Sequence, residues 1–208
     1  MTLTAEKFNE GMTVQQYLDQ IKVNKQPIME IFGSVETPAE DRAFFDGLSE
    51  PLRLAVFTAD WCGDAISTAP AIFRLAEDTD GLEIRVFNRD EELELTNSFL
   101  PEHRHGTVPV FVVFDSQMRE VGRFIETARE LVPVLNGMEE EIAKSAEATS
   151  DEAANRAAVR GKRMAYRMSH AREWGHTITG EFTKVMKDGL ALPIDQRPAE
   201  GGTEWPQQ

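Results

Sequence analysis

One joint in the sequence constrains the fold more than any other feature. An apolar run rich in strand formers, Leu52 to Phe57, passes through Ala59-Asp60-Trp61-Cys62-Gly63 into Ala71-Ile72-Phe73-Arg74-Leu75-Ala76, which has helical spacing. A strand turning directly into a helix implies a sheet with helices packed on it. The single cysteine of the chain, Cys62, stands in that turn. A thiol placed there faces the unpaired N–H groups of the helix start and the positive end of its dipole. Both favour the thiolate, the reactive form of cysteine. The plainer use of a lone cysteine is as a small buried hydrophobe.

The remaining patterns extend this arrangement in both directions. Thr13 to Phe32 reads as helix, with Thr13 as cap, an apolar stripe of Val14, Tyr17, Leu18 and Ile21, and a break at Pro27. Thr37-Pro38 offers a cap and first helical position for a segment that turns Phe44, Phe45 and Leu48 to the core. After the Leu52–Thr58 strand and a helix to about Asp78, Leu82 to Phe87 alternates as a second strand. Asn88 or Asp90 is placed to cap a helix from Glu91 to Leu100. Val110 to Phe114 reads as a strand buried on both faces, and a turn at Asp115-Ser116-Gln117-Met118 leads into Arg119–Ile125. Thr127 then caps a helix from about Ala128 to Ala148.

Beyond this, Ala154, Ala157, Gly161, Met164, Met168 and Ala171 recur at helical spacing. The same segment carries Arg156, Arg160, Lys162, Arg163, Arg167 and Arg172, a basic concentration in a chain of net charge −14. A nucleic-acid or lipid contact, a protein partner, or pairing with Glu139, Glu140, Glu141 and Glu147 would each account for it. The bland pairing fits best, because a turn near Ser150-Asp151 lets the two helices run antiparallel. Trp174, Ile178, Phe182, Val185 and Met186 continue an apolar helical pattern, and from Pro193 the Pro, Gly and Gln content reads as a loose tail.

The turn resembles the active-site turn of thioredoxins. That family has Trp-Cys-Gly-Pro-Cys where this chain has Trp61-Cys62-Gly63-Asp64-Ala65; Pro70 stands at the family's helix-proline spacing, and Val108-Pro109 matches its cis-proline step. With Asn88-Arg89-Asp90-Glu91-Glu92, the pattern is most similar to a bacterial thioredoxin-like group, over about Pro51 to Gly137. The resemblance implies an α/β thioredoxin fold, a mixed central sheet flanked by helices, with N-terminal and C-terminal helical extensions. It divides the chain into a helical extension (1–49), a thioredoxin-like domain (50–148), a second helical extension (149–192) and a flexible tail (193–208). Two departures matter: the family's resolving cysteine is Ala65 here, and its buried strand aspartate falls at Val56.

The resemblance therefore implies a monothiol redox protein of cell redox homeostasis, in which Cys62 exchanges disulfides through mixed disulfides with a client protein or a low-molecular-weight thiol. Trp61, Gly63, Asp64, Val108 and Pro109 would form the substrate-binding surface around it. A second function stays open: a redox-inactive module that grips peptide along Trp61 and Val108-Pro109. Asp64 opposes thiolate formation at Cys62, while His103 or His105 could assist it. No cofactor and no metal is expected. The acidic balance disfavours nucleic acid, and no apolar run reaches membrane-span length. No basic-then-apolar leader opens the chain, and one cysteine suits a reducing cytosol, so a cytoplasmic location is expected, with a homodimer left open.

Overall fold

The structure, a computed structural model, describes residues 2–145 and 152–204. The elements in chain order are α1 (Ala5–Asn9), α2 (Val14–Gln20), α3 (Lys25–Ser34), α4 (Ala39–Asp46), β1 (Leu52–Thr58), α5 (Gly63–Glu77), β2 (Leu82–Asn88), α6 (Leu93–Asn97), β3 (Val110–Phe114), β4 (Glu120–Ile125), α7 (Val132–Lys144), α8 (Glu152–Ser169), α9 (Ala171–Ala191) and β5 (Ala199–Gly202). One five-stranded sheet has the order β2-β1-β3-β4-β5. β1 is parallel to β2 and antiparallel to β3, β3 and β4 form an antiparallel pair, and β5 runs parallel to β4. This is the mixed sheet flanked by helices that the turn at Cys62 demands, with helical additions at both ends.

The period-two alternation of the strands divides the interior. Leu52, Leu54 and Val56 of β1, with Phe111 and Val113 of β3, enter the larger core beneath α2, α3, α5 and α9. Ala55 and Phe57, with Val110, Val112 and Phe114, enter a second core against Leu3, Phe8, Leu95 and Phe99. The N-terminal helices are tied to the sheet as well as packed on it: Met12 and Val86 exchange two backbone hydrogen bonds of 2.9 and 2.8 Å. α9 sends Trp174, Ile178, Phe182 and Met186 into the main core, so it is part of the domain interior.

Several boundaries differ from the sequence expectations. The break between α2 and α3 comes at residues 21–24, with Asn24 in the left-handed region (φ 55°). Pro27 lies inside the first turn of α3, where its missing N–H costs nothing. The Thr37 hydroxyl donates to Asp78 at 2.7 Å instead of capping α4, whose N-cap is Pro38. The Glu91–Leu100 helix shortens to α6, because Asn88 accepts from the Asp90 N–H in a local turn. Thr127 is buried and is followed by a 3-10 turn at Arg129–Leu131 before α7. The expected helix end at Ala148 and the turn at Ser150-Asp151 lie outside the described residues.

The largest correction concerns the tail. Ala199–Gly202 is a strand, paired residue by residue with Gly122–Ile125. Its glycines, read as signs of looseness, are what permit the docking. A Cβ on Gly201 would come within 2.2 Å of Val185, and one on Gly202, where φ is +87°, within 2.1 Å of the Ile125 carbonyl. The buried Arg104 guanidinium locks the strand end by donating to the Thr203 carbonyl and hydroxyl, both at 2.9 Å, and to Glu126 at 3.1 Å.

Candidate functional site

The turn between β1 and α5 is held from the N-terminal side. Asp60 Oδ2 accepts the backbone N–H groups of Lys22 and Val23, each at 2.8 Å, and the Asn24 side chain donates to the Asp60 carbonyl at 2.8 Å. Trp61 is left 49% exposed. Its indole N–H donates to Asp90 at 2.8 Å, and the Arg89 guanidinium lies 5.0 Å from its ring centroid, a cation–π contact. The Asn88-Arg89-Asp90 segment after β2 thus fixes the orientation of the tryptophan.

Cys62 is the N-cap of α5, with extended backbone, and only 9% of it is exposed. Its thiol donates to the Val108 carbonyl at 3.2 Å, and the Val108-Pro109 peptide is cis. Ala59, Ala65 and Val108 wall the sulfur in a small apolar cluster of its own. Burial pushes the thiol up; the Ala65 and Asp64 backbone N–H groups pull the other way, Asp64's carboxylate adds to the rise, and Arg167 opposes it. Burial wins, and the thiol stays above its ordinary value. The expectation that the helix start by itself favours thiolate is corrected here: the dipole is present, but a desolvated sulfur gains less from it than it loses with its water.

Arg167 is the residue that sequence reading missed. It belongs to α8, lies 103 residues from Asp64, and is 6% exposed. Its guanidinium donates to Asp64 Oδ1 at 3.1 Å and to the Ser67 hydroxyl at 3.0 Å. It lies against the backbone of Gly63, 3.6 Å from where a Cβ on that residue would stand. Its Nε is buried and makes no hydrogen bond among the described residues. One signal was available: Arg167 falls three residues after Met164 and four before Ala171, on the same helix face as that apolar seam. The seam itself is buried only in this C-terminal half, since Ala154, Ala157 and Gly161 are exposed. Elsewhere on α8 the cations find local partners, Arg163 to Glu139 at 2.5 Å, Lys162 to the Ser145 carbonyl at 3.0 Å and Arg156 to Glu152 at 3.3 Å.

Gly63 and Asp64 open α5 beside Cys62, and Val108 and Pro109 complete the opposite wall, both buried. His103 and His105 are exposed on and after a 3-10 turn, and the thiol's hydrogen-bond partner is Val108, not a histidine. Ala65 is 1% exposed and Val56 fully buried, so neither position adds a polar group to the site. Among the described residues, no group of three or more His, Cys, Asp or Glu converges as a metal site, and no helix is long and apolar enough to cross a membrane.

Sequence comparison matches residues 11–150 to a family model described as thioredoxin. The match takes in α2, α3 and α4 as well as the segment from β1 to α7. None of the curated proteins matches the chain. Among solved structures, a protein of unknown function from Pseudomonas aeruginosa aligns with a TM-score of 0.63 at 16% identity, over 92% of this chain and 100% of its own. An HIV epitope scaffold aligns with a TM-score of 0.54 at 14% identity, over 80% of this chain and 93% of its own. At such identities these two likenesses speak for the fold alone.

Proposed function

The chain belongs to the thioredoxin family, and from that premise we propose that Cys62 exchanges disulfides as a lone attacking thiol. The observation that carries this reading is the placement of its sulfur: at the first turn of α5, with the Asp64 and Ala65 N–H groups directed at it and the cis Val108-Pro109 step opposite. In the exchange, the Cys62 thiol loses its proton and attacks one sulfur of a client disulfide. A Cys62–client disulfide forms as the client's other sulfur leaves as thiolate. With Ala65 in the resolving position, a low-molecular-weight thiol then attacks the mixed disulfide. It takes the client sulfur into a new disulfide and returns Cys62 as thiolate. Each step breaks one S–S bond and makes one, so no outside oxidant is required. Half-exposed Trp61, next to Cys62 in the chain, supplies an apolar platform for an extended client segment.

A second reading, a peptide-gripping module without redox chemistry, is favoured by the burial of Cys62 and its raised thiol pKa. Incubation of the native chain with oxidised glutathione, followed by intact-mass measurement, separates the two. Exchange predicts a single glutathione adduct on wild type, none on Cys62→Ser, and its removal by reduced glutathione. An adduct that forms only after unfolding would overturn exchange in favour of the gripping module.

A further inference from the structure

We propose that Arg167 is a positioning residue for Cys62: reaching from α8 across the start of α5, it takes up the Asp64 carboxylate and stands ready to support negative charge on the neighbouring sulfur. The inference deepens the reading of Cys62 as an attacking thiol and rests on it. Its first ground is geometric. A guanidinium that is 6% exposed lies against Gly63, the residue between Cys62 and Asp64, and is hydrogen-bonded to Asp64 and Ser67.

The second ground is energetic. Burying a guanidinium is costly unless its donors are well met. Here the carboxylate partner keeps a third of its side chain in water, and one donor, Nε, meets no acceptor among the described residues. An apolar side chain on the Met164–Ala171 face would hold α8 to the domain at least as well. What an apolar residue could not do is oppose Asp64 at the thiol. Asp64 raises the cost of a Cys62 thiolate and Arg167, paired with it at 3.1 Å, lowers it. Tyr17 of α2 also faces the sulfur; its buried phenol is pushed far above its usual range and stays neutral where the thiol would act. The Asp60 carboxylate in the same turn is occupied by the Lys22 and Val23 N–H groups. Burial sets the main cost of the thiolate, the balance between Asp64 and Arg167 adjusts it, and the cationic half of that balance is delivered by a helix from the far end of the chain.

The test is the pH dependence of Cys62 alkylation by iodoacetamide in the full chain. Arg167→Met should raise the midpoint by about one pH unit, which is a roughly tenfold slower reaction at neutral pH. Arg167→Lys should restore most of the wild-type profile, and Asp64→Asn should lower the midpoint. Near-ultraviolet circular dichroism reports whether Arg167→Met stays folded; if it does not, Asp64→Asn carries the test, since it keeps the arginine. An unchanged midpoint in a folded Arg167→Met, or in Asp64→Asn, overturns the proposal. Alkylation reads thiolate alone. A midpoint that follows Arg167 in a chain that accepts no glutathione would therefore keep this inference and remove disulfide exchange.

Discussion

Two arginines are drawn into this molecule from solvent, and they do different work. Arg104 sits where β5 ends, and its guanidinium is spent on Thr203 and on Glu126, a carboxylate only 18% exposed. Thr203 also donates its hydroxyl to Glu126, so three groups close on one another. Arg167 reaches the start of α5, where its partner carboxylate is 33% exposed. The first arrangement is a clasp that holds a strand at the sheet edge. The second has a carboxylate partner more open to water and stands beside the one cysteine of the chain. A buried charge whose partner is itself withdrawn from water serves stability, and one whose partner stays wet beside a titratable group acts on that group's charge.

Replacing each arginine by methionine should separate the two roles. Arg104→Met takes the cation away from the partly buried Glu126 and frees the strand end, and should cost about 3 kcal/mol in urea unfolding. The Cys62 alkylation midpoint should not move in that variant. Arg167→Met should cost less, about 1–2 kcal/mol, because Asp64 can recover its hydration. Its main effect should be on the thiol. Equal losses of stability, or a thiol response to Arg104, would dissolve the distinction.

The pH dependence of stability offers a finer probe of the Arg167 side. Burial raises the Cys62 pKa in the folded state above its unfolded value. The thiol's contribution is therefore fully present below the unfolded pKa, about 8.5, and is lost as pH rises through the folded value. Cys62→Ala removes this term, so the alkaline decline in stability should be shallower by about 1 kcal/mol for each unit of upward shift. Tyr17, also raised mainly by burial, contributes with the same sign in both proteins, so most of its effect drops out of the difference. A parallel decline in the two proteins would mean that the sulfur is better solvated than its 9% exposure implies.

The smallest effect belongs to a site away from both clasps. A Cβ on Gly161, midway along α8, would meet nothing within 4 Å. Gly161→Ala should stabilise the chain by about 0.5–1 kcal/mol through helix propensity alone. The thiol midpoint and the attachment of β5 should both stay as they are. A shifted midpoint would show that α8 moves over the Cys62 turn as a unit, and that Arg167 responds to the whole helix.

Much of this site was legible before the fold. The strand–turn–helix at Cys62 and the buried strand Val110–Phe114 could be placed from residue type and spacing, while the cis step at Val108-Pro109 and the absence of a resolving thiol at Ala65 came from the resemblance to thioredoxins. Each depends on neighbours a few residues apart: alternation along a strand, periodicity along a helix, turn chemistry between them. Two segments were misread for one shared reason. Gly201 and Gly202 look like tail composition until α9 and β4 are seen pressing on their bare backbones. The arginines of α8 read as partners for the glutamates before them, as Arg163 is for Glu139, and nothing local marks Arg167 as the one with Asp64 and Ser67 beneath it.

The sequence by itself determined which elements form and where the single cysteine stands, because those follow from local stereochemistry and from the burial of apolar faces. Only the tertiary structure decided the burial of that thiol, the direction of its pKa and the identity of its cationic neighbour. Desolvation and Coulomb terms sum over every group brought within a few ångströms, however far away in the chain. Asp64 and Arg167 are 103 residues apart and become neighbours only when α8 closes on α5.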